Sequence, residues 1–257
     1  MKKLRGLVTG AGAVICILML AGISAEAQQA QRRVGGKPDF NGIWQAMNSA
    51  SWNIEDHQGE MGVPPGLSVV EGGAVPYRPE ALAKKQENYA NRATADPTEA
   101  NCYLPGVPRI TYMPFPFKIT HTPTAIALSY EWTHALRPVV MDGSPHPETP
   151  EENWMGISRG RWEGDTLVVD VRNFNDQTWF DHAGNHHSEQ LRVTERYTMT
   201  GPDSIQYEAT IEDPKVFTRP WKMSMPLYRR KEPNIRLLEY ECAYYLQERI
   251  YKDAPFF

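Results

Sequence analysis

Arg159-Gly160-Arg161-Trp162-Glu163-Gly164-Asp165-Thr166-Leu167-Val168-Val169-Asp170 reads as two strands and the turn between them. One strand ends at Trp162, the chain reverses through Glu163-Gly164-Asp165 with glycine where a positive φ is needed, and alternation resumes at Thr166. Leu167, Val169 and Val171 then share a face, against Val168 and Asp170. The same period of two extends both ways. Upstream, Ile126, Leu128, Tyr130 and Trp132 alternate with Ala127, Ser129 and Glu131. Downstream, Leu191, Val193, Glu195, Tyr197 and Met199 share a face, Gly201-Pro202-Asp203-Ser204 turns the chain, and Ile205, Tyr207, Ala209 and Ile211 follow. Leu238, Tyr240, Cys242, Tyr244 and Leu246 predict a last strand. Strands joined by short turns, without helices alternating between them, indicate an all-β domain, an antiparallel barrel or sandwich.

The N-terminal part is less regular. Residues 38–45 predict a short first strand. Residues 61–117 read as a loop-rich insertion, because Pro64, Pro65, Gly66, Gly72, Gly73, Pro76 and Pro79 let neither a helix nor a central strand run through. Pro79 suits a first helical turn, and residues 80–92 predict the one helix. Long irregular segments of this kind form lids or binding loops, or simply wrap the core.

Lys2, Lys3 and Arg5 precede an apolar run over 14–22 and then Ser24-Ala25-Glu26-Ala27, the parts of a secretory signal peptide in order. Residues 1–27 are expected to be removed, leaving 28–257 as one exported barrel domain, periplasmic or secreted. No later segment reaches about 18 consecutive apolar residues, so no integral membrane segment is expected in that domain. Cys102 and Cys242 remain after Cys16 leaves with the leader. In an exported chain they are expected to pair as a disulfide, with two buried free thiols as the alternative. The net charge of −4 becomes more acidic once Lys2, Lys3 and Arg5 leave with Glu26, which argues against a nucleic-acid partner. Oligomeric state is not legible.

Asp181-His182-Ala183-Gly184-Asn185-His186-His187-Ser188-Glu189 is the densest titratable cluster. A histidine oriented by a carboxylate suits proton transfer, and His187 and Glu189 share a face if a strand begins there. The competing reading is a polar hairpin loop at the rim, with Gly184-Asn185 as its turn. Metal binding by His182, His186, His146 and Asp181 is a further alternative, weakened because adjacent His186 and His187 would face opposite ways. Asp142 and His146 follow a strand and suit a barrel mouth, or ordinary Asp-Gly turn chemistry. Glu195 falls by alternation on an apolar face, which either prepares a catalytic carboxylate or calls for a buried arginine or tyrosine partner. Trp162, Trp179 and Arg137 are candidate ligand contacts, although aromatic rings also simply fill barrels. Nucleophile-elbow, nucleotide-loop and dinucleotide motifs are missing, and no cofactor is expected.

Gly42-Ile43-Trp44 resembles the Gly-x-Trp signature of calycins, the lipocalin and fatty-acid-binding barrels. That resemblance implies a tryptophan at the closed end beneath a basic side chain from a late strand, here Arg219, Arg229 or Arg230. More of the chain is similar to a large group of exported bacterial proteins, through Pro38-Asp39-Phe40-Asn41-Gly42-Ile43-Trp44, Leu104-Pro105-Gly106-Val107-Pro108-Arg109, Met141-Asp142-Gly143, residues 160–170, His187-Ser188-Glu189 and Thr210-Ile211-Glu212-Asp213-Pro214. This second resemblance implies export and a fold, and brings no catalytic residues with it. The expectation is therefore an exported, calycin-like antiparallel barrel that binds a small aromatic or glycosidic compound. If it is an enzyme, the expected chemistry is that of a cofactor-free isomerase or lyase, with His187 and Glu189 or Glu195 moving the proton. A ligand carrier and a metal-dependent hydrolase at residues 182–187 are the alternatives.

Overall fold

A computed structural model describes residues 32–60, 62–148 and 152–242; the expected signal peptide lies outside them. Two short strands, β1 (Arg33–Val34) and β2 (Lys37–Pro38), form a hairpin of their own, and β3 (Gly42–Ala46) opens the main sheet. Helices α1 (Pro79–Ala95) and α2 (Arg109–Tyr112) follow in the irregular segment. The remaining strands are β4 (Phe117–His121), β5 (Ile126–Tyr130), β6 (Leu136–Val139), β7 (Ile157–Glu163), β8 (Thr166–Arg172), β9 (Arg192–Gly201), β10 (Ser204–Glu212) and β11 (Trp221–Arg229).

The sheet holds nine strands in the order β6-β5-β4-β3-β11-β10-β9-β8-β7, every neighbour antiparallel. An odd number of alternating strands leaves its two edges pointing the same way, so any contact that closes it must be parallel. The edges do meet in that sense. Val140, just past β6, bridges Arg159 of β7 in parallel, through Val140 N–H to Ser158 O (3.1 Å) and Gly160 N–H to Val140 O (2.8 Å). Gly160 allows this approach, since a Cβ there would stand 2.3 Å from Met141 Sδ and 2.6 Å from Val139 Cγ1. The result is a nearly closed, all-β antiparallel barrel, as the alternation indicated.

Alternation also fills the interior. On β11, Trp221, Met223, Met225 and Leu227 are buried while Lys222, Ser224, Pro226 and Tyr228 are exposed. Trp44 is fully buried, donates Nε1–H to Phe40 O (2.9 Å) and lies under the Arg229 guanidinium, 4.2 Å from its ring centroid. Gly42 is what makes room, because a Cβ at that position would fall 2.2 Å from Arg229 Nη1. Of the three arginines considered from sequence, Arg229 is the one over the ring.

Five expectations need adjustment. A second, one-turn helix, α2, joins the one expected, and the strand expected over 38–45 begins only at Gly42, with Pro38 in the separate hairpin. The helix begins at Pro79 and runs to Ala95, longer at its C-terminal end than 80–92. The hairpin turn comes a residue late, at Gly164 and Asp165, with Glu163 still in β7. The strand expected over 238–246 is absent where the chain is described, and 243–246 lie outside the described residues. β11 pairs on both sides, with β10 and β3, and the two sheet edges meet each other, so no long edge remains to receive another strand. Residues 238–242 are held by one isolated parallel bridge, between Tyr240 and Trp132, and by side chains. Leu238 N–H donates to Glu131 Oε2 (2.8 Å), Tyr240 stacks on Trp132 at 5.1 Å, and Cys242 forms a disulfide with Cys102, Cα atoms 5.5 Å apart.

Candidate functional site

Helix α1 ends at Asp96, whose side chain turns into the protein. Its Oδ1 accepts from Thr98 N–H (2.9 Å) and Glu99 N–H (3.3 Å), capping the turn that follows. Arg109 of α2 forks onto both carboxylate oxygens at 2.9 Å, and neither residue has any exposed side-chain surface. Its Nη2 also lies 3.2 Å from Glu99 Oε1. Burial alone would raise the Asp96 pKa, but the Arg109 charge and the hydrogen bonds from His182 and Arg109 outweigh it and hold the carboxyl well below its ordinary range.

His182 completes this cluster. Its Nδ1 is 2.9 Å from Asp96 Oδ2 and 3.3 Å from Glu99 Oε2. Burial disfavours the charged ring, yet the Asp96 hydrogen bond and the charges of Glu99 and Asp96 prevail, so the pKa is raised. Because Asp96 is an ionised acceptor, the proton of the neutral ring sits on Nδ1. Nε2 makes no hydrogen bond among the described residues, and the His182 side chain keeps 19% of its surface exposed.

The connection between β8 and β9 brings His182 here. Trp179 and His186 bridge across it, and Phe180 N–H donates to Asn185 O at 2.6 Å. Asp181 is fully buried and accepts from Ile54 N–H, Asn185 N–H and Asn185 Nδ2 at 2.9, 3.1 and 2.6 Å. Burial nonetheless pushes its pKa up to about 6. His182 itself donates its backbone N–H to Ser51 O at 2.9 Å.

Ser51 and Glu99, two of the residues that engage His182, also line a cavity of about 410 Å³; Asp96 and His182 do not. Its other walls are Trp52, Ala100, Met113, Pro114, Phe115, Trp132, Tyr240 and the Cys102–Cys242 disulfide. Phe115, Trp132 and Tyr240 pack on one another with ring centroids 4.5–5.3 Å apart. This is a mostly apolar, aromatic recess with a carboxylate–histidine pair behind its polar end, the composition of a small-molecule site. Asp96, Glu99 and His182 also offer three donor atoms within 4.8 Å of one another, close enough to share a metal ion. Arg109 already occupies both Asp96 oxygens, however, and supplies the positive charge that a cation would bring.

The residues singled out from sequence are scattered. His187 is buried, with Nδ1–H donating to Ser188 O (2.9 Å) and Nε2 accepting from Thr178 Oγ1 (2.6 Å), between the rings of Phe174 and Phe180. Glu189 faces outward, paired with Lys215, because β9 starts only at Arg192 and residues 189–190 form a turn. The two therefore do not form a pair. The 181–189 loop is tucked against the core rather than standing at a rim. His186 bonds Ala81 O through Nε2 (3.0 Å), so His182, His186, His146 and Asp181 have separate partners and do not make one ligand set.

Glu195 does lie inside the barrel, where its partners are Arg137, Tyr197 Oη (3.0 Å) and Tyr207 Oη (2.8 Å). Arg137 is correspondingly a structural partner, with Nε donating to Ser158 Oγ at 2.8 Å. Trp162 packs on Phe40 and His121, and Trp179 is buried in the loop; neither lines the aromatic cavity. Asp142 accepts from Ser144 N–H at 2.8 Å, ordinary turn chemistry, while His146 lines a different cavity beside Arg159 and Asp170. Asp96, Glu99 and Arg109 were missed. The available signal was Arg109 itself, a charge set in the otherwise uncharged run Gly106-Val107-Pro108-Arg109-Ile110-Thr111-Tyr112.

Comparison with protein-family models, with curated proteins and with solved structures finds no match.

His187 has a measurable signature of its own. Burial lowers its pKa to about 4, below the ordinary 6.5, so the folded state binds fewer protons than the unfolded chain between those values. The stability it contributes is full above pH 6.5 and is lost as the pH falls through 4. Asp181 works in the opposite sense, since a carboxyl raised to about 6 contributes stability at low pH that is lost as the pH rises through 6. His187→Asn should therefore destabilise the protein less, relative to wild type, at pH 4.5 than at pH 7, by about 2 to 3 kcal/mol. Urea unfolding at the two pH values measures this; an equal cost at both would mean that the ring is not held neutral.

Proposed function

We propose that this chain is an exported barrel that binds a small, partly apolar aromatic compound in the recess beside His182 and moves a proton on it without a cofactor, as an isomerase or lyase does. The observation that carries the reading is the Asp96–His182 pair directly behind the wall of an aromatic cavity, joined to it through the lining residues Ser51 and Glu99. Asp96, kept ionised by Arg109, fixes the His182 tautomer and stabilises the imidazolium once Nε2 has taken a proton. Glu99 adds a second negative charge next to the ring and so strengthens it as a base. The aromatic walls orient the substrate by stacking. Export is supported by the leader-like residues 1–27 and the Cys102–Cys242 disulfide. A calycin-like relationship is supported by Arg229 over Trp44 beside Gly42.

The reaction is tested by exchange rather than by a guessed turnover. An aryl ketone with an acidic α-carbon, incubated with the protein in deuterium oxide, should gain deuterium at that carbon, with the rate read by NMR. His182→Gln should slow the exchange by about 10² or more. The rate should rise with pH, because the neutral ring is the base, with a midpoint above the ordinary histidine value; Glu99→Gln should move that midpoint down. Saturable binding of the ketone without exchange would favour a carrier, and exchange that survives His182→Gln would exclude this base.

A further inference from the structure

After Val140 closes the barrel seam, residues 143–148 line one side of a second, open cavity of about 540 Å³ whose other side is formed by β7 and β8. It shares no lining residue with the aromatic recess. Three arginines line it, and two are already balanced: Arg161 pairs with Glu163 and Arg172 with Asp170. Arg159 is different. Its Nη1 reaches Ser144 Oγ, its nearest carboxylate is Asp142 at 3.6 Å, and its Nε is buried without a hydrogen-bond partner.

His146 lines the same cavity, and neither of its buried ring nitrogens makes a well-formed hydrogen bond, the Asp170 backbone being a polar contact only. The nearest carboxylate oxygen, on Asp170, is 3.7 Å from Nε2, too far for a hydrogen bond. Two polar side chains that line one cavity thus keep three buried nitrogens without a well-formed hydrogen bond. Such groups are ordinarily paired, because each carries an uncompensated desolvation cost.

We propose that this cavity binds a small carboxylate. The unused edge of Arg159 and one imidazole N–H provide donors for one oxyanion group, and Arg159 is the lining arginine whose own carboxylate partner is farthest, Asp142 at 3.6 Å against 2.6 Å for the other two pairs. A single negative charge suits that balance better than a dianion, since Asp170 and Glu148 also line the cavity. The charged groups around His146 are Asp170, Arg172 and Arg159, so anion binding there changes the environment of the ring directly.

Propionate is a suitable probe because it has no aromatic ring to draw it into the other recess. Titrated into the full chain at constant ionic strength, with chloride as the control, it should move the His146 ring resonances saturably. Arg159→Gln should weaken that binding at least tenfold, and His146→Ala should abolish the rise in melting temperature that propionate gives the wild-type protein. Inorganic phosphate should bind less tightly than propionate. Unmoved His146 resonances, equal affinity in Arg159→Gln, or tighter binding of phosphate would each overturn the assignment.

Discussion

Arg137→Met is expected to destabilise the barrel by about 3 to 5 kcal/mol, the cost of leaving one charge of a buried pair without its partner. Glu195 has no exposed side-chain surface and Arg137 only 2%. Truncating the arginine leaves the carboxylate with Tyr197 and Tyr207 as donors and no positive charge. It also strands Ser158, which accepts from Arg137 Nε. The same pair crosses the sheet, since Arg137 is on β6 next to the seam and Glu195 on β9. Adding Glu195→Met should recover much of the loss, because an apolar replacement of both partners removes the unpaired charge. Urea unfolding followed by tryptophan fluorescence gives both numbers. A single-variant cost below about 1 kcal/mol would mean that solvent reaches the pair.

Cys102→Ser should cost about 5 kcal/mol in the chain-entropy account, because the disulfide joins positions 140 residues apart and restricts the unfolded chain over nearly the whole barrel. Cys242→Ser should match it. Their agreement matters, because an entropic effect belongs to the link and not to either side chain. Both cysteines line the aromatic recess, and Tyr240 stacks there on Trp132, so reduction should also weaken binding of aromatic probes. Unfolding with and without reductant measures the first effect. A cost near zero would place the stability of the 238–242 segment in its ring contacts instead.

The barrel was legible because its strands carry their own signals. Leu167, Val169 and Val171 alternate, and the Gly164 and Gly201 turns join strands that pair with each other, Glu163 with Thr166 and Gly201 with Ser204, the second with a register shift just past the turn. Glu195 on an apolar face announced a buried partner, and it has both an arginine and tyrosines. What alternation does not encode is where loops return. His182 and His187 are five residues apart, yet one ring meets carboxylates from the end of α1 and the other is sealed between phenylalanines. That difference depends on Asp181 tethering the loop to Ile54 and on Asp96 lying 86 positions from His182. Composition favoured the histidine beside Glu189; tertiary packing favours the one beside Asp96.

Methyl NMR on methionine-labelled protein locates the ligand most directly, because Met113 lines the aromatic recess while Met223 and Met225 fill the barrel interior. With resonances assigned by single Met→Leu variants, a neutral aromatic probe such as an aryl ketone is titrated into the full chain. The account predicts that Met113 shifts saturably, that Met223 and Met225 stay in place, and that His182→Gln leaves the Met113 shift but removes the deuterium exchange. Movement of Met223 and Met225 with Met113 unchanged would put the ligand inside the barrel and contradict it.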